Sequence, residues 1–219
     1  MKKVLTFLMV ITLMAFNAPK KTRIIFFGDS ITEYGIVKGG YIDKIQESLN
    51  AGEKAGNYEL IGAGVSGNKI YDLYLRIDED VIARKPAVVV IFEGVNDVWH
   101  KTFGTGTDMD KYEKFYTAVI KKLLAKKIRL VLVTPACIGE KKDNGNTMDE
   151  QLNNYCDVIR KLAGVYNCTL LDLRKTVLQY ESGKNTDNKE KGLLTTDGVH
   201  LSNAGNQMLA EEMYKVLVR

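Results

Sequence analysis

Residues 86–97 read PAVVVIFEGVND. A proline opens a run of β-branched and aromatic residues, and an acid and a glycine close it. A run with no polar residue at every second position does not fit a strand with one wet face. It predicts a strand over 86–92 buried on both faces, as in a parallel sheet covered by helices on each side. Directly after it come Glu93, Gly94, Asn96 and Asp97, so the chemistry changes where the strand ends.

The same alternation extends in both directions. RIIFF (23–27), YELIGAG (58–64), IRLVLVT (128–134) and CTLLDL (168–173) are further strand candidates. Between them lie helical patterns. YIDKIQESLN (41–50) carries apolar residues at 41, 42, 45 and 49. Residues 69–84 fit one or two short helices, 110–126 a helix starting near Asp108 or Asp110, and 148–166 one ending near Gly164. Residues 203–218 close the chain as an amphipathic helix with Asn203 near its start. Strand alternating with helix predicts an α/β fold: one parallel sheet between two helical layers. Residues 139–147 (GEKKDNGNT) and 180–196 (YESGKNTDNKEKGLLTT) are polar, contain glycine and lack a period, so both are expected to be loops.

Composition narrows the function classes. The 219 residues are 45% hydrophobic and 26% charged, ordinary globular usage, with a formal net charge of +4. The densest basic cluster, Lys121, Lys122, Lys126, Lys127 and Arg129, falls on the flank of a helix without interleaved aromatics, so no nucleic-acid partner is expected. At the N-terminus, Met1-Lys2-Lys3 precedes VLTFLMVITLMAF, thirteen uncharged residues. A basic start and a short apolar core predict a signal peptide over 1–18 and an exported, periplasmic or extracellular protein. Ala15 and Ala18 are the small residues available for cleavage, and neither sits in an ideal context, which leaves the cut open. The run falls short of the roughly 20 apolar residues a bilayer requires, so no stable span is expected once the leader is removed. Cys137, Cys156 and Cys168 are too few for a disulfide framework and, with two histidines, are not spaced for zinc. They are expected to be bystanders, with any pairing left open.

One motif competes for attention. GAGVSG (62–67) matches a dinucleotide-binding fingerprint after a strand, with Glu93 as a distant acid. Another strand precedes it, however, and a nucleotide site would leave the remaining motifs without a role.

Ligands of such sheets bind outside the carboxyl ends of the strands. Those ends read Gly28-Asp29-Ser30, then Gly64 to Asn68, then Glu93 to Asp97, then Thr134-Pro135-Ala136. Beyond the last strand and a long loop comes Asp197-Gly198-Val199-His200. Ester cleavage through a serine needs a base to take its proton and donors for the oxyanion. His100 and His200 are the two imidazoles, and each has an aspartate three residues earlier, Asp97 or Asp197, so spacing alone does not separate them. Donor candidates are the Asn96 side chain and the amides of Gly67 and Ser30. Each residue also has a plainer role: Asp29 and Ser30 suit a helix cap, and Asn96-Asp97 suits a turn.

In this order Gly28-Asp29-Ser30-Ile31, Gly67, Gly94-x-Asn96-Asp97 and Asp197-x-x-His200 resemble the blocks of the SGNH hydrolase family, the GDSL esterases and lipases. The resemblance spans about residues 23–215; the one departure is Ile31, where the family has leucine. It implies a single domain over 21–219 with a flavodoxin-like, three-layer α/β/α fold and a five-stranded parallel sheet. It implies Ser30 as nucleophile, His200 as base and Asp197 as its orienting acid. The oxyanion hole would use the Ser30 and Gly67 amides and the Asn96 side chain, with no metal or organic cofactor, and Asp97 would be structural. The expected function is a secreted serine esterase acting through an acyl-enzyme on small-molecule or glycan esters, with short acyl groups on carbohydrate favoured and Trp99 and Tyr34 offering a sugar-stacking face. A lysophospholipase- or thioesterase-type hydrolase and a non-catalytic carbohydrate-binding relative are the alternatives.

Overall fold

Five strands pair side by side, all parallel, in the order β2-β1-β3-β4-β5: β1 (Thr22–Gly28), β2 (Tyr58–Gly64), β3 (Val88–Phe92), β4 (Arg129–Val133) and β5 (Thr169–Leu171). This computed structural model describes residues 21–52 and 54–218; the leader expected over 1–18 lies outside the described residues. Strand β3 is buried along its whole length. Its successive side chains feed opposite cores, Val89 and Ile91 into one and Val88, Val90 and Phe92 into the other.

Among the described residues eight α-helices cover the two faces: α1 (Ser30–Gly35), α2 (Tyr41–Ala51), α3 (Ile70–Asp80), α4 (Val95–Trp99), α5 (Met109–Leu124), α6 (Asp149–Val165), α7 (Leu173–Lys184) and α8 (Asn203–Leu217). The apolar stripes of α3, α5 and α6 pack in the core with Val89, and those of α2, α7 and α8 in the core with Val90. The result is the three-layer α/β/α arrangement expected, with the flavodoxin-like strand order. From β1 the chain moves to β2 on one side and later to β3 on the other. That reversal opens a crevice at the carboxyl ends of β1 and β3.

Two expectations need correction. Strand β5 is three residues long rather than six, because Asp172 leaves the sheet to cap a helix, its side chain accepting from the Lys175 amide. The loop expected over 180–196 begins later, since α7 runs to Lys184. The inward face of α7 pairs Leu173 and Val177 with two buried charged residues, Arg174 and Glu181, so the apolar period that would have marked it is broken. The short helix α4 also went unread, and α1 was foreseen only as the cap that Asp29 and Ser30 suit; each is a single turn or little more.

Arg174 explains why a charge is tolerated there. Its side chain is wholly buried and donates to Asp149 Oδ1 at 2.7 Å, Asn153 Oδ1 at 2.8 Å and the Ala136 carbonyl at 3.2 Å. One guanidinium thus ties α7 to α6 and to the segment leaving β4. Asp149 is equally buried, so removing the guanidinium strands a carboxylate away from water. Replacing one member of such a pair costs about 3–5 kcal/mol, whereas replacing both with apolar residues of similar volume is often neutral. Arg174→Ala should therefore lower stability in urea unfolding by about 3–5 kcal/mol, and Arg174→Met with Asp149→Leu should recover most of the loss.

Candidate active site

Ser30 owes its position to the end of β1. Gly28 sits in extended backbone; a Cβ there would lie 2.2 Å from the Phe92 carbonyl oxygen and 2.7 Å from Thr32 Oγ1. Its role is close packing of β1 against β3 and α1. Asp29 then caps α1, with Oδ1 accepting from the Ile31 amide at 2.9 Å. Ser30 is the first residue of the helix, nearly buried, with its Oγ 3.0 Å from His200 Nε2.

His200 is held from its other side. Its Nδ1 lies 2.7 Å from Asp197 Oδ2, while Asp197 Oδ1 accepts from the amides of Val199 at 2.9 Å and His200 at 2.7 Å. Burial pushes the Asp197 carboxyl up, but the imidazole and the two amides outweigh it and hold the acid below its ordinary range. Rotation of the imidazole is further limited by the rings of Tyr34 and Trp99, whose centroids lie 5.8 and 6.3 Å from it.

The loop that carries this pair is anchored by Glu140, a residue the sequence did not single out. Its buried carboxylate accepts from the Leu193 and Leu194 amides, each at 2.8 Å, from Thr195 Oγ1 at 2.7 Å and from the Thr195 amide. Thr195 Oγ1 in turn accepts from the Gly198 amide at 3.1 Å, and the Gly139 amide donates to the Gly198 carbonyl at 2.8 Å. Glu140 stands in a lysine-rich stretch that reads as loop, so only the fold discloses its partners.

The three donor candidates follow the ends of β1, β2 and β3. Asn96, in the first turn of α4, donates from Nδ2 to the Asn68 carbonyl at 3.1 Å and, at 3.4 Å, toward Asp29 Oδ2. Gly67 takes φ +78°, a left-handed conformation that glycine adopts freely, in a turn closed by the Asn68 amide on the Val65 carbonyl at 3.2 Å. Among the described residues no acceptor takes the amide of Ser30 or of Gly67. Arg76, also unanticipated, braces the turn: it donates to Asn68 Oδ1 at 2.7 Å and to the carbonyls of Ala63 at 3.0 Å and Gly28 at 2.9 Å.

The two histidines separate by geometry. Asp97 is buried and accepts from the Ile70 amide at 3.3 Å, so the acid preceding His100 braces α3 instead of an imidazole. His100 leans on Trp99 and Phe103, and burial followed by the Lys69 charge lowers its pKa. Beneath the crevice lie three buried carboxyls, Asp29, Glu93 and Asp97. Burial, then the Asp97 charge, pushes Asp29 up to about 7, and burial pushes Asp97 up to about 6. Burial and the charges of Asp29 and Asp97 raise Glu93 well above the usual carboxylate range. Among the described residues no group of three or more His, Cys, Asp or Glu is placed to hold a metal ion, and Cys137, Cys156 and Cys168 are all free thiols.

The arrangement can therefore pass a proton from a hydroxyl to an imidazole and place amides beside a developing oxyanion. The family model described as GDSL-like Lipase/Acylhydrolase matches residues 26–208. The chain is 28% identical to an acetylxylan esterase from Geobacillus stearothermophilus, covering 86% of this chain and 90% of that one. It superposes on the crystal structure of an acetyl xylan esterase, AlAXEase, with a TM-score of 0.88 and 54% identity, covering 90% of this chain and all of the other. A further solved structure, a catalytic mutant of the Geobacillus stearothermophilus acetylxylan esterase Axe2 with an aspartate changed to alanine, gives a TM-score of 0.80 at 25% identity over 92% of this chain and 96% of that one. Strand order, the ordered blocks and the family match over most of the chain agree: this protein belongs to the GDSL-like lipase/acylhydrolase family and is a carboxylic ester hydrolase.

Proposed function

We propose that the protein is an exported serine esterase that removes acetyl or similarly short acyl groups from carbohydrate through an acyl-enzyme on Ser30. The observation that carries this reading is the continuous chain from Ser30 Oγ to His200 Nε2 at 3.0 Å and from His200 Nδ1 to Asp197 at 2.7 Å. The acetylxylan esterase relatives support the carbohydrate substrate, and the basic-apolar N-terminus supports export.

The chemistry follows from these distances. Ser30 Oγ attacks the ester carbonyl carbon as its proton passes to His200 Nε2. Asp197 holds the imidazole in the tautomer that presents a free Nε2 and stabilises the imidazolium that forms. The oxyanion is received by the Ser30 and Gly67 amides and the Asn96 side chain, donors fixed in place before the substrate arrives. The imidazolium then protonates the departing alcohol oxygen, leaving an acyl ester on Ser30. Water attacks that ester, His200 takes its proton and returns one to Ser30, and the carboxylic acid leaves.

Ser30→Ala should lower kcat on p-nitrophenyl acetate by more than about 10⁴-fold while the thermal unfolding midpoint stays nearly unchanged; retained activity would remove Ser30 from the role of nucleophile. Across a series of p-nitrophenyl esters, kcat/KM should be highest for acetate and fall steeply toward decanoate. The reverse order would favour a lipolytic enzyme using the exposed apolar residues Tyr34, Ile36 and Val37.

Stability should respond to pH through two buried acids. Asp29 and Asp97 titrate in the folded protein at about 7 and about 6, above their ordinary value of 3.8. The folded state then binds protons that the unfolded chain has released. Stability from these groups is full below about pH 4 and is lost as pH rises through 6 and 7. The thermal midpoint should fall between pH 5 and pH 8, and Asp29→Asn, which keeps the cap, should flatten that fall.

A further inference from the structure

The imidazole that protonates the leaving alcohol must touch that oxygen, so the alcohol half of an ester lies beside His200, and the oxyanion donors of Gly67 and Asn96 take the carbonyl oxygen. On the imidazole side the surface is hollowed. A cavity of about 240 Å³ opens between Trp99, Asn146 and the Asp197–Val199 turn. It meets a wider hollow of about 650 Å³ at Thr147 and Met148, which line both. The second hollow runs on to Lys101 and to Gln151 and Asn154 on α6. Together they make a track that starts at Trp99 and Asp197, the two residues that flank the His200 imidazole, and leads away over the segment between β4 and α6.

We propose that this track binds the rest of the glycan: the neutral pyranose units that extend from the acetylated sugar, seated over Thr147 and reaching Gln151 and Asn154. This rests on the esterase reading only for the position of the acetylated unit. The lining chemistry argues for the ligand. Trp99 offers a flat apolar face with a polar edge, as a sugar ring requires. Thr147, Gln151 and Asn154 offer hydroxyl and amide groups that both donate and accept, matching a string of hydroxyls. The charges present are of both signs, and Lys141 is paired with Glu190 at 3.2 Å, so no cationic patch selects a phosphate or a uronate. An acyl chain would meet too many polar groups. The wall is also held in place. Asn146 receives no freedom to move, because its Nδ2 donates to the Lys141 carbonyl at 3.0 Å and to Asp149 Oδ2 at 2.9 Å, and Asp149 is locked by Arg174. A preformed wall lowers the ordering cost of binding a chain of sugars.

The test separates the track from the chemistry. Binding of unacetylated xylotetraose to the full protein is measured by calorimetry, and hydrolysis is measured on p-nitrophenyl acetate, monoacetylated xylose and monoacetylated xylotetraose. Two surface variants are compared, Thr147→Trp, which fills the track, and Gln151→Ala with Asn154→Ala, which strips its far end. The wild type should bind xylotetraose and should hydrolyse the acetylated tetraose with a kcat/KM about tenfold or more above that for the acetylated monosaccharide. Both variants should weaken xylotetraose binding by about fivefold or more and lower the tetraose kcat/KM toward the monosaccharide value, with p-nitrophenyl acetate kinetics unchanged. Equal kcat/KM for monosaccharide and tetraose in the wild type, or variants that leave the tetraose values intact, would overturn the track. Xylotetraose binding that Thr147→Trp abolishes, in a protein that hydrolyses none of the three esters, would uphold the track and overturn the esterase reading.

Discussion

Four donors from residues 193–195 converge on the buried carboxylate of Glu140. A carboxylate without water is costly unless hydrogen bonds replace the lost hydration, and here both oxygens are engaged. The satisfaction is mutual, since backbone amides of an irregular segment also need acceptors when buried. Thr195 passes the constraint to Gly198, and Gly139 fixes the same residue from the other side, so the turn carrying Asp197 and His200 is tied to the carboxyl end of β4. The imidazole reaches Ser30 because this tie exists. The sheet places the serine, and a loop clamp places the imidazole beside it.

Different parts of this arrangement were open to sequence reading for different reasons. Strand β3 was legible because burial on both faces forces a continuous apolar run, and β2 was read to its exact bounds. Ser30, Asn96 and the Asp197–His200 pair were legible because each sits directly after a strand or in a short motif with a chemical meaning. Helix α7 was not, since its inward face carries Arg174 and Glu181 and so mimics a polar surface. Glu140 and Arg76 escaped because nothing local marks them; their partners lie more than 50 residues away for Glu140 and 48 for the Arg76 bond to Gly28. Spacing alone left His100 and His200 open; the family resemblance pointed to His200, and the fold adds that Asp97 is committed to the Ile70 amide. Gly28 was legible as part of a strand-end motif, but its constraint, room beside the Phe92 carbonyl, shows only in the fold.

Two electrostatic layers meet at the crevice. Above, Asp197 is held ionised against an imidazole at the surface. Below, Asp29, Glu93 and Asp97 are crowded and buried; the charges of Arg76 and Lys69 offset that burial only in part, and the three hold protons that ordinary carboxyls would release. A protonated Asp29 would spare the Asn96 amide a strong competing acceptor, leaving that amide available to a ligand oxygen 3 Å or so away. The lower layer thus bears on how the upper one treats a substrate.

The bond between Ser30 and His200 joins residues 170 positions apart, and the Tyr41 amide donates to Asn206 across 165. Helices α2 and α8, near the two ends of the described chain, pack on each other in the same core. Contacts of such long range form late, because closing a large loop carries an entropy cost before any contact rewards it. A chain emerging from the ribosome can set up β1, β3 and the crevice floor while the imidazole is still unmade. Ser30 lies among the first residues to fold, and its contact with His200 is among the last that the polypeptide acquires.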